Sequence, residues 1–142
     1  MQKMTADEAK LFIQEGTRTG KLAVVRADGR PHVTPIWFVL DGDTLVFTTW
    51  HESLKAKCIQ GDPRVTICVD MEEPPYAFVM VEGTAEIHTN PVDKQAWATR
   101  IARRYMGDGL AETYGKRNSV EGEWLVRVKI NNIVARKDVA GW

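Results

Sequence analysis

Residues 31–49, PHVTPIWFVLDGDTLVFTT, read as two apolar strands folded back on each other at Asp41-Gly42-Asp43. Asp-Gly between apolar arms is a hairpin signal, because glycine supplies the backbone conformation that a tight turn needs. Pro35 interrupts the first arm. It has no N–H to give to a ladder, so the chain there must be an edge strand or a bulge. Backbone groups left unpaired beside Trp37 would form a flat platform for an aromatic ring with polar edges. A proline-protected edge with Trp37 in the core fits the pattern equally well.

The chain on either side continues the strand-and-turn pattern. Upstream, TADEAKLFIQEG carries a capping box, Thr5 with Glu8, and Gly16 stops the helix. KLAVV then runs into RADGR, whose Asp28-Gly29 is a second hairpin signal. Downstream, a helix is expected from about Ser53 to Gln60, ended by Gly61. RVTICVD follows as a strand, EEPP as a break, and YAFVMVEGTAEIH as a strand bent at Gly83. In NPVDKQAWATRIARRYMG, Asn90 caps a long helix and Pro91 suits its first turn. Trp97, Ile101 and Tyr105 line one face of that helix. GEWLVRVKINNIVARK closes the chain as one or two strands. About six antiparallel strands with three or four peripheral helices predict a mainly β fold, a closed or nearly closed barrel that hides its edges. An open α+β sheet is the competing arrangement.

The 142 residues fit a single domain, 1–142, large enough to bury a core without disulfides. Cys58 and Cys68 lack metal or redox spacing and read as small apolar residues. Nineteen basic and nineteen acidic residues cancel, so no overall field draws the protein to nucleic acid or anionic lipid. Arg100, Arg103 and Arg104 give one helix a basic face, but without interleaved exposed aromatics a solvated face is the default. No apolar run approaches the length of a membrane span, and the N-terminus lacks an apolar leader, so the expected location is the cytoplasm.

Phosphate-loop, dinucleotide, zinc-protease and serine-hydrolase motifs are all absent. His32, His51 and His88 stand apart with no second ligand at metal spacing, so no metal is expected. A chain without an evident nucleophile or base can still be an enzyme if a cofactor carries the reaction. The stretch TTWHESLKAK, residues 48–57, offers a place for one. A helix N-terminus exposes unpaired N–H groups and a partial positive charge. Thr48, Thr49 and Ser53 add hydroxyls, and Lys55 and Lys57 add cations, although two lysines two residues apart on a helix point in different directions. The alternative is a plain cap with solvated lysines.

The order RPHVTPIWFVLDGDTLVFTTWHESLKAKCIQGDPRVTICVD, then PYAFVMVEGTAEI, then ARRYMG, resembles the pyridoxamine-phosphate-oxidase-like flavin and deazaflavin oxidoreductases. Within them it is most similar to the branch that uses coenzyme F420. The resemblance spans nearly the whole chain. It implies a split β-barrel of the FMN-binding type, forming a homodimer with cofactors in the grooves between subunits. Residues matching Val33, Thr34, Pro35, Ile36 and Trp37 would lie along the ring system. Thr48, Thr49, Ser53 and Lys55 would hold the phosphate, with Lys57 nearby, and Tyr76 and Phe78 would border the cofactor. Where the oxidase carries an arginine before its lysine this chain has Leu54, and Val33 and Phe38 replace its basic residues on the preceding strand. These departures argue against pyridoxamine-phosphate oxidation itself. A basic rim would also suit the polyglutamate tail of F420.

The expected function is hydride transfer between bound F420 and a small organic acceptor. FMN in the same fold is the alternative cofactor, and a flavin-binding module without turnover is the alternative class.

Overall fold

The computed structural model describes residues 1–141. Its strands are β1 (Gln2–Lys3), β2 (Gly20–Val25), β3 (Pro31–Ile36), β4 (Val39–Asp41), β5 (Thr44–Trp50), β6 (Arg64–Met71), β7 (Ala77–His88) and β8 (Glu123–Lys137). The helices are α1 (Ala6–Gln14), α2 (Leu54–Gly61), α3 (Pro91–Met106) and α4 (Ala111–Arg117), the last preceded by a short 3-10 turn. All strand pairs are antiparallel, in the order β3-β2-β6-β7-β8-β5-β4, with β1 also against β8. β3 and β4 are the two ends of that path, yet Trp37 and Phe38 alone join them in the chain. The sheet therefore has to curl until its two edges approach. No ladder joins β3 to β4, so the barrel is split.

The strand count exceeds the expected six because β1 is very short and the 31–40 arm is two strands. Pro35 does lie on an edge strand, where its missing N–H costs no ladder bond. The arm is broken after it, at Trp37-Phe38, by groups from α3: Phe38 N donates to Tyr105 Oη at 3.3 Å and Phe38 O accepts from Arg104 Nη1 at 2.7 Å. The bend anticipated at Gly83 is a β-bulge against β8. A Cβ there would meet the Lys129 carbonyl oxygen at 2.5 Å, so only glycine allows that approach.

The inside of the curl holds the larger core, including Leu22, Phe38, Leu45, Phe47, Ile67 and Val128, closed by Ile13 of α1 and Ile59 of α2. A second cluster, Val46, Ile101 and Leu125, seals the outer face of β5 and β8 beneath α3. β5 is thus covered on both faces, which is why Leu45, Val46 and Phe47 form an uninterrupted apolar run. Among the described residues no helix is long and apolar enough to cross a membrane.

Candidate cofactor-binding site

Where β3 and β5 end beside α2, α3 and α4, a groove of about 240 Å³ opens. Pro35, Ile36, Trp37, Thr48, Thr49 and Lys55, expected as ligands, line it together. The end of β5 explains the convergence: Thr48 and Thr49 lead through Trp50 into the cap of α2. Ser53 is that cap. Its Oγ accepts from Ala56 N at 3.2 Å and lies 2.9 Å from Thr49 Oγ1. Ser53 thus orders the corner from behind. The next two amides, of Leu54 and Lys55, have no hydrogen-bond partner among the described residues. The threonine hydroxyls, the Lys55 ammonium and its free N–H thus meet on one groove at a helix start, a set of donors chemically suited to an anion.

The other expected ligands sit elsewhere. Lys57 is exposed, on a different face of α2 from the groove. Val33 points out from the sheet, 59% exposed, while Thr34 sits opposite Leu22 on the inner side, its Oγ1 buried without a partner. Trp37 is only partly available as a platform, since one face stacks on Tyr105 with ring centroids 5.2 Å apart. The polar edge expected beside it is partly taken by Arg104 and Tyr105.

Tyr76 and Phe78 line a separate cleft of about 630 Å³, with the Lys21–Asp70 ion pair (2.9 Å) and Cys68. Burial, helped by Asp70, pushes the Cys68 thiol up. Tyr76 holds a left-handed backbone, φ 64°, and its carbonyl accepts from Val139 N at 3.1 Å. The two clefts flank one sheet face. Pro35 of the first lies opposite Lys21 of the second, and the same outward row continues through Cys68 to Met80 and Val134.

Glu123, Asn118, Trp50 and Ile101 complete the groove. Trp50 packs over Gly122, where a Cβ would come within 2.6 Å of its ring. His51 Nδ1 lies 2.9 Å from Gly122 O, tying the corner of β5 to the start of β8. Glu123 sits opposite Trp50 in the β5–β8 ladder. Burial pushes its carboxyl up, against the opposing pull of Lys94, Lys55, Arg117 and His51. The Nζ of buried Lys94 donates to the Val120 and Glu123 carbonyls at 3.2 and 2.9 Å, anchoring this end of β8.

The expected basic face does not form a free rim. Arg104 is half-buried and donates to Gly16 O, Phe38 O and Ile13 O, and burial holds its pKa down. Arg100 stacks on Trp97, and Arg103 pairs with Asp108 at 3.1 Å. Among the described residues no cluster of histidine, cysteine or carboxylate side chains could hold a metal ion.

The family described as pyridoxamine 5'-phosphate oxidase matches residues 5–133. General stress protein 26 of Bacillus subtilis (strain 168) is 30% identical over 110 residues, 75% of this chain and 78% of that protein. Among solved structures, the conserved hypothetical protein Rv2991 from Mycobacterium tuberculosis superposes with a TM-score of 0.82 at 25% identity, over 95% of this chain and 86% of that one. An F420 reductase superposes with a TM-score of 0.68, also at 25% identity, over 87% of this chain and 94% of that one.

Proposed function

Because this chain belongs to the pyridoxamine 5'-phosphate oxidase family of flavin-binding oxidoreductases, we propose that it binds coenzyme F420 and serves hydride transfer to a small organic acceptor. The observation that carries the reading is the cradle: the Thr48 and Thr49 hydroxyls and Lys55, with its free backbone amide, on one groove at the start of α2. Such a set fits a phosphate. The structural likeness to an F420 reductase supports the choice of cofactor. So does Leu54: with no second cation before Lys55, a phosphate alone is held lightly, and a cofactor with further contacts gains in proportion.

In this reading the reduced cofactor, F420H2, would supply the hydride and be left as F420, and the protein would supply position and exclusion of water. Lys55 and its backbone amide would hold the phosphate, and Pro35, Ile36 and the free edge of Trp37 would form the wall towards the ring system. One groove of about 240 Å³ is smaller than the 300–1,000 Å³ typical of cofactor sites. We therefore place the site between two copies of the chain, with Tyr76 and Phe78 of a second copy closing over the groove. The outward face between the two clefts suits a self-contact. Val33, Ala23, Cys68, Met80 and Val134 give it an apolar stripe, set beside Lys21, Thr66, Asp70 and Glu82 on the same face.

Titrating the purified protein with F420 and with FMN, followed by fluorescence quenching, tests the cofactor. F420 is expected to bind more tightly at both low and high salt. Tighter FMN binding at each salt, or FMN co-purifying at full occupancy, contradicts the reading.

A further inference from the structure

Lys55 and Glu123 are the two charged side chains that line the groove among the described residues, one of each sign. A carboxylate is an unexpected lining for an anion cradle. It is not there by accident of a frayed terminus, because its backbone is fixed by the β5–β8 ladder and by buried Lys94. Its side chain shares the field of Lys94 from α3, Lys55 from α2, Arg117 from α4 and His51 from the corner after β5. Lys94, Lys55 and Arg117 attract any phosphate, and Glu123 opposes them.

We propose that Glu123 is a specificity-determining residue, biasing the groove towards singly charged phosphodiesters and against dianionic phosphate monoesters. The inference rests on the reading of this groove as a phosphate cradle. Its physical basis is that Coulomb energy is linear in ligand charge. A carboxylate at a fixed place therefore repels a dianion with twice the energy it exerts on a monoanion. A phosphodiester such as the one within F420 carries one charge at any ordinary pH. A monoester such as FMN has its second ionisation near pH 6 and is a dianion above it.

The test compares three ligands at pH 8: F420, FMN, and the methyl phosphodiester of FMN, which keeps the ring and ribityl chain and removes one charge. Glu123→Gln keeps the size and backbone contacts of the residue and removes its charge. If it tightens the methyl diester about threefold, doubling the energy squares that factor, so FMN tightens about tenfold and the ratio of the two Kd values shifts about threefold. Glu123→Asp, which retains the charge, is expected to leave the ratio near that of the wild type. An unmoved ratio in Glu123→Gln, or an equal shift in Glu123→Asp, overturns the assignment. If at the same time Lys55→Ala still weakens all three ligands, the phosphate cradle stands and Glu123 alone is wrong. If the wild type binds none of them, both readings fall.

Discussion

Lys55 and Lys57 stand two residues apart on α2, and the helix separates their fates. Lys55 lines the groove and Lys57 faces solvent. Lys55→Ala is expected to weaken F420 binding by about 1.5–3 kcal/mol, the worth of a charged hydrogen bond, while Lys57→Ala leaves it unchanged. Fluorescence titration of the two variants checks this, and equal losses would remove Lys55 from the site. The residues that converge from one short segment, Thr48 to Lys55, were legible in the sequence because a strand running into a helix start brings its own hydroxyls and amides together. Glu123 and Asn118 were not legible. They enter the groove because β8 pairs with β5 and α4 packs against α3, and neither neighbourhood leaves a local pattern.

At the scale of elements, Arg104 does more for the fold than its place on an expected basic face suggested. Its guanidinium joins the end of α1, the following turn and the β3–β4 link through three carbonyls at 2.6–2.9 Å. Arg104→Ala strands those acceptors, and we expect a loss of about 2–4 kcal/mol in unfolding free energy, read by urea denaturation. A loss below about 0.5 kcal/mol, the range of ordinary surface changes, would deny it that role. The same contacts explain why the break after Ile36 escaped the sequence: Pro35 signalled an edge, but the groups that end the strand lie on α3. At the end of α2, Arg64 holds the Asp62 carboxyl down, to about 2 from the usual 3.8. A carboxyl lowered on folding stabilises above its unfolded pKa and loses that contribution as pH falls through the folded one. Compared with Asp62→Asn, the wild type is expected to hold an advantage at neutral pH that shrinks below pH 3.8 and is gone near pH 2. Urea midpoints of both proteins across that range check it, and a difference independent of pH contradicts it.

For the whole molecule, the barrel was legible because turn signals recur between short apolar runs and leave little chain for crossovers. The family resemblance implied that Tyr76 and Phe78 border the same cofactor as the phosphate residues. The structure puts them in a second cleft, with the outward sheet face between. The proposed symmetric pair of chains meeting on that face would reconcile the two, since each copy would offer a cradle and a lid. Sedimentation velocity of the protein mixed with F420, followed at the cofactor's own visible absorbance, tests this most directly. The account predicts that the cofactor moves with a dimer at one F420 per subunit. Absorbance that remains at the free cofactor's boundary, or that travels with a monomer, would contradict it.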